Sequence, residues 1–197
     1  MYKFLFLGFL ILSSFNGNSQ DILNLRPKEL ITELNKFCEG KEVVFEEINI
    51  SEAHISPEKK GKYFKITNNS GAYPILYVYI GRVMSCRTGG CSSSPNKNEG
   101  LEHEYFDYFL LIDSIPQVKL AKVFNYQASH GQEITAKGWL KQFSGFDGSR
   151  SLEVGKSIDG ISGATVSVYA ITLDIEKRVE ELRQILSASQ NLTEKSH

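Results

Sequence analysis

The stretch Tyr105–Tyr126, YFDYFLLIDSIPQVKLAKVFNY, decides the fold class. Tyr105–Ile112 and Val118–Tyr126 are rich in β-branched and aromatic residues, and Asp113-Ser114-Ile115-Pro116 joins them as a hairpin-like connection. Upstream, Pro74–Met84 (PILYVYIGRVM) is the strongest strand candidate, with Gly81 marking a bulge or a close approach. Lys62–Thr67 and Glu42–Ile50 read as two more strands, the first ending in the turn cluster Asn68-Asn69-Ser70-Gly71. Before them, Pro27–Cys38 sets Leu30, Leu34 and Phe37 at helical spacing, with Gly40 as a stop signal.

Downstream of the hairpin, Ile134–Phe143 reads as one short helix. From Thr165 the period becomes helical over about five turns, through Val168, Ile171, Ile175, Val179, Leu182 and Leu186. Helix, strands and helices again, without strict strand–helix alternation, predict an α+β fold. Its antiparallel sheet packs with an N-terminal helix, a short middle helix and a long C-terminal helix. Ser85–Gly100 and Gly145–Gly160 read as polar loops, and residues 188–197 as a flexible tail.

Composition narrows the class of function. Of 197 residues, 22 are Lys or Arg and 23 are Asp or Glu, for a formal charge of −1; 41% are hydrophobic and 23% charged. These are the proportions of an ordinary globular domain and exclude a disordered or multi-span membrane chain. Near-neutral charge argues against a nucleic-acid partner. The first fifteen residues, MYKFLFLGFLILSSF, combine Lys3, a short apolar run and a small polar end, the pattern of a secretory signal peptide. Cleavage after Ser19 is expected, and no Cys stands there for lipid attachment. The expected organisation is therefore a signal at 1–19 and one domain over 20–187, working in the periplasm or cell envelope.

In an oxidising compartment, Cys86-Arg-Thr-Gly-Gly-Cys91 is expected to close a local disulfide, with a redox-active pair as the alternative. Cys38 is expected to be a free buried thiol. His54, His103, His130 and His197 show no metal-ligand spacing, and Glu102-His103-Glu104 reads as a solvated loop.

The segment that carries chemistry is Asp159-Gly160-Ile161-Ser162-Gly163-Ala164-Thr165, immediately before the long helix. Ser162 is placed as an N-cap, Gly163 permits close approach of backbone to ligand, and free first-turn amides attract a phosphate. By spacing alone, a segment of this kind is most often a plain helix cap.

Asp159–Thr165 resembles the flavinylation motif of the FMN-binding domain family, which includes the C subunit of sodium-translocating NADH:quinone reductases and the G subunit of Rnf complexes. In that family an Asp precedes Ser/Thr-Gly-Ala-Thr/Ser, and the last hydroxyl takes FMN through a phosphoester made by an exported flavin transferase. The resemblance implies Thr165 as acceptor, Ser162, Gly163 and Ala164 as the turn under the phosphate, and Asp159 as part of what the transferase recognises. Ser129-His130-Gly131-Gln132-Glu133-Ile134 and Gly138-Trp139-Leu140-Lys141-Gln142-Phe143 are similar to the block that precedes the motif, though its Thr-Pro-Gly-Leu portion is missing here. The similarity covers roughly 105–181.

The resemblance implies an electron carrier more than a stand-alone oxidoreductase. Its partners would be a flavin transferase and electron donor and acceptor proteins, a membrane electron-transport complex among them. His130 would hydrogen-bond the flavin or take up a proton on its reduction, with a loop histidine satisfied by neighbouring backbone as the alternative; Trp139, Phe143 and Phe146 are candidates to pack near the ring, although aromatics more often serve the core. Two other functions stay open: a secreted ligand-binding or structural domain of this fold without cofactor, and a thiol–disulfide partner acting through Cys86 and Cys91.

Overall fold

Side chains alternate across a strand, so the burial pattern assigns each face of the sheet to a partner. The computed structural model describes residues 22–48, 61–68, 76–87 and 103–194. Helix α1 is Lys28–Phe37; strands are β1 (Val43–Ile48), β2 (Gly61–Asn68), β3 (Leu76–Arg87), β4 (His103–Ile112) and β5 (Val118–Tyr126). A short helix α2 (Lys137–Leu140) lies between the 3-10 turns Gln132–Thr135 and Lys141–Phe143, and helix α3 is Thr165–Glu194. The strands follow one another in the order β1-β2-β3-β4-β5, every neighbouring pair antiparallel. The expected α+β architecture is therefore present, with its three helices.

One face of the sheet carries Phe64, Ile66, Leu76, Val78, Ile80, Phe109 and Leu111, and it clusters with Leu30, Leu34 and Cys38 from the α1 segment. The other face carries Tyr63, Tyr77, Tyr79, Val83, Phe106, Tyr108, Leu110 and Ile112. It receives Val168, Ile171, Ile175, Val179 and Leu182 of α3, all fully buried. At about 1.5–3 kcal/mol for each large apolar side chain removed from water, that stripe alone accounts for the seating of α3.

The tyrosine-rich face holds a polar network beneath the middle of α3. Arg178 donates to Asp174 Oδ1 (2.7 Å) and to Glu181 Oε2 (2.7 Å), Tyr108 donates to Asp174 Oδ2 (2.6 Å), and Tyr63 donates to Glu181 Oε2 (2.9 Å). Burial, with the nearby carboxylates, pushes the Tyr63, Tyr79 and Tyr108 hydroxyls up from their ordinary range. Gly61 and Gly81 pair directly across β2 and β3, and the Tyr79 ring lies over both. A Cβ at Gly81 would stand 2.1 Å from Tyr79 Oη, so the Gly81 signal in the sequence marks a close approach.

Several boundaries differ from the sequence expectation. On α1, Cys38 rather than Phe37 completes the buried face: Cys38 is four residues beyond Leu34, whereas Phe37 is 42% exposed. Strand β3 continues through Ser85, Cys86 and Arg87, which the polar composition assigned to a loop. His103 and Glu104 belong to β4, where pairing outweighs the local charge. Ile134–Phe143 breaks into two 3-10 turns around α2, because Ala136 leaves the helical region at ψ 122°. The expected tail is helical through Glu194. Residues 1–19, with the signal-peptide and cleavage expectations, and Cys91, with the disulfide expectation, lie outside the described residues.

Candidate functional site at the first turn of α3

Two loops meet the start of α3, one on each flank. The first follows β5. Tyr126 Oη reaches both the His130 carbonyl oxygen and Ser167 Oγ, and Ser167 Oγ is 2.9 Å from Ser85 Oγ on β3. Tyr126 has one hydroxyl hydrogen and a carbonyl only accepts, so Tyr126 donates to His130. Ser167 then donates to Tyr126 over 3.0 Å, and Ser85 donates to Ser167. Three hydroxyls from β3, β5 and α3 thus fix one loop to one helical turn. Burial raises the Tyr126 hydroxyl above its ordinary range, which keeps its proton on the donor side. Gly131, at φ +90°, completes the contact: a Cβ there would be 2.9 Å from both Ser167 Oγ and Tyr126 Oη.

The second flank is the segment leading into α3. Trp139 Nε1 donates to the Asp159 carbonyl (2.9 Å), the Asp159 amide donates to Gln142 Oε1 (2.8 Å), and Gln142 Nε2 donates to the Trp139 carbonyl (3.1 Å). This closed triangle pins Asp159 by its backbone and leaves its carboxylate exposed. Leu152 and Ile158 are buried and anchor the preceding loop in the core.

Between these flanks, Ala164 donates its amide to the Ile161 carbonyl (3.1 Å), and Gly163 takes φ +83° with open space around it. The first bond into the helix runs from the Val168 amide to the Ala164 carbonyl (2.9 Å). The amides of Thr165, Val166 and Ser167 therefore precede any intrahelical acceptor. Ser162 was expected as the N-cap, but that position belongs to Ala164, whose side chain has no acceptor. The extra turn at Ile161–Ala164 displaces Ser162 outward, where it is exposed. Thr165 is also exposed, at the first helical position.

The structure thus gathers Asp159, Ser162, Gly163, Ala164, Thr165, Trp139 and the His130 loop around one helix end. His130 and Thr165 are exposed, and Trp139 is half-buried with its ring edge-on to Phe143, centroids 5.4 Å apart. Phe143 and Phe146 are core residues, at 0% and 2% exposure, which settles their reading in favour of packing. Sequence reasoning passed over Ser85, Tyr126, Ser167 and the role of Gln142. Ser167 carried a signal: it is a polar residue beside Val168 and Ile171 on the inward side of α3 and is 2% exposed.

A separate cavity of about 310 Å3, lined by Tyr77, Ser114, Pro116, Arg183 and Leu186, lies five or more turns further along α3. Among the described residues there is no cluster of three or more His, Cys, Asp or Glu suited to a metal ion, and no helix long and apolar enough to cross a membrane. The chain matches no family model, no curated protein and no solved structure.

Proposed function

We propose that this chain is an exported flavoprotein that carries FMN through a phosphoester on Thr165 and relays electrons outside the cytoplasm. The observation that carries the reading is the exposed Thr165 hydroxyl beside three amides with no intrahelical acceptor, on a helix whose N-cap is an alanine. A phosphate esterified there takes up amides that would otherwise face water, and the positive end of the helix dipole favours its charge. The open space at Gly163 accommodates the phosphate oxygens without displacing a side chain. The residues present therefore fit the group.

When bound, a flavin supplies one- and two-electron exchange. The chain's own residues hold and orient it. The Thr165 oxygen tethers the phosphate, which keeps the cofactor from being lost in a compartment where free FMN is dilute. The Trp139–Asp159–Gln142 triangle holds the entry to the turn, and the Tyr126–Ser167 pair holds the His130 loop beside it. The exposed Asp159 carboxylate is available for recognition by a flavin transferase.

Co-expression with an exported flavin transferase tests this. The expected product is yellow, heavier by one FMN less one water, with the added mass on the peptide containing Thr165, and Thr165→Ala is colourless. A folded, exported protein with unmodified Thr165 overturns the assignment and favours a cofactor-free binding or structural domain.

A further inference from the structure

The solvent-facing side of α3 changes character along its length. Thr165, Tyr169 and Leu173 follow one another at steps of four, and Val166 is three residues before Tyr169, so the four share one face. Val166 is 41% exposed, Tyr169 49% and Leu173 62%. Beyond them the same face carries Lys177, Glu180 and Gln184, all exposed. An amphipathic helix is expected to be polar on this side throughout. Among the described residues, the other exposed large apolar side chains, Ile22, Phe37, Val44, Met84 and Ile115, lie off α3. On α3 the exposed apolar patch is confined to the first turns and begins at the proposed attachment residue.

We infer that Tyr169, with Val166 and Leu173 beside it, is the platform on which the isoalloxazine ring tethered to Thr165 rests. The inference rests on the proposed attachment at Thr165. Reach supports it: Tyr169 is about 6 Å along the axis from Thr165 and Leu173 about 12 Å. A phosphate followed by a five-carbon ribityl chain, with bonds of about 1.5 Å each, is long enough to set the ring over the first of these and extend it toward the second. Chemistry supports it as well. A flat aromatic ring system with an apolar dimethylbenzene end gains from stacking on a tyrosine flanked by aliphatic side chains. The charged face beyond residue 176 offers no such gain. Resting there, the ring would keep one face toward solvent, where an electron donor or acceptor can approach.

The test uses the full chain, exported and loaded by the flavin transferase. Tyr169→Ala is expected to keep the flavin attached, because Tyr169 is exposed and lies outside the turn that receives it. The emission of the attached flavin should rise, and its anisotropy fall, as the ring leaves an electron-rich quencher. Removing one aromatic stacking contact should raise the population of free ring about fivefold. Leu173→Ser should give a smaller change in the same direction, and Ile115→Ser none. Attached flavin with emission and anisotropy unchanged in Tyr169→Ala overturns the platform alone. The same holds for a Tyr169→Ala variant that dissolves a dimer or slows exchange with a partner protein while the emission stays constant. Absence of flavin from the unaltered chain overturns both the platform and the attachment.

Discussion

Replacing Gly131 with alanine probes how firmly the His130 loop is pressed onto α3. Gly131 has φ +90°, where a side chain costs about 1–2 kcal/mol of backbone strain. The added methyl would also stand 2.9 Å from Ser167 Oγ, 2.9 Å from Tyr126 Oη and 3.3 Å from Ser167 Cβ. Neither hydroxyl is free to swing aside: Tyr126 is held to the His130 carbonyl and Ser167 to both Tyr126 and Ser85. Relieving the collision therefore opens at least one of these bonds, at about 1 kcal/mol each. The expected loss is about 2–4 kcal/mol for Gly131→Ala. Gly163→Ala is the internal control, because its φ is +83° but nothing lies within 4 Å of the new methyl. It should lose only the strain, about 1–2 kcal/mol. Urea unfolding followed by the emission of Trp139, the single tryptophan of the chain, reads both variants at the site itself. Adding Ser167→Ala to Gly131→Ala should cost less than the sum of the two single changes, since the methyl then meets one hydroxyl instead of two. Equal urea midpoints for Gly131→Ala and Gly163→Ala would refute the hydroxyl latch.

Three further expectations follow from the same geometry. Arg178→Met removes the cation between Asp174 and Glu181, which keep their donors Tyr108 and Tyr63, and chemical denaturation should show a loss of about 3 kcal/mol. Because Tyr63, Tyr79 and Tyr108 ionise at higher pH in the folded protein than in the unfolded chain, their contribution to stability is constant below about pH 10 and falls above it, by about 1.4 kcal/mol per pH unit for each tyrosine. Alkaline unfolding monitored by tyrosinate absorbance should therefore be steep, and Tyr79→Phe should lower the slope by about 1.4 kcal/mol per pH unit; an unchanged slope counts against the buried triad. Ala164 is 2% exposed in the core, so Ala164→Ser adds a side-chain acceptor at the N-cap but also buries a hydroxyl; thermal stability should change by less than about 1 kcal/mol while flavin attachment, measured by intact mass, falls.

The sheet and α3 were legible because their signals are periodic. Val168, Ile171, Ile175, Val179 and Leu182 repeat at the helical period, and all five are buried where that period places them. Strand β5 begins and ends at the residues its composition marks, since turn residues and Gln127 bound it sharply. Where the sequence misled, a long-range contact outweighed a local one. His103 and Glu104 look like loop, yet β3 runs on to Arg87, which pairs with His103 and carries the strand across Glu104. Phe37 is the more apolar residue, but Cys38 has the angular position that faces β2 and β3. At the candidate site the chemical residues were visible as a motif, whereas their supports were not. Ser85, Tyr126 and Ser167 come from three elements separated by 41 and 82 positions, and no spacing rule joins them.

The distribution of hydrogen-bond partners around residue 165 follows a single pattern. Every polar group that fixes the two flanking loops is satisfied internally: Tyr126 by His130, the Trp139 indole by Asp159, and the Asp159 amide by Gln142. Among the described residues, the exposed groups at the helix end without such a partner are the Thr165 and Val166 amides and the hydroxyls of Thr165 and Ser162. Ser162, two residues before Ala164, would contribute about 1 kcal/mol if it stood at the N-cap. Instead a turn at Ile161–Ala164 carries Ser162 out of capping position and seats an alanine there. That alanine is 2% exposed and packs in the core, so the helix end has no side-chain cap while the loops on both sides are held by internal hydrogen bonds, and its first-turn donors stay open to an anion. Ala164→Ser adds an acceptor that competes with an anion for these donors. If this variant still loads flavin in full, the amides are not what holds the phosphate.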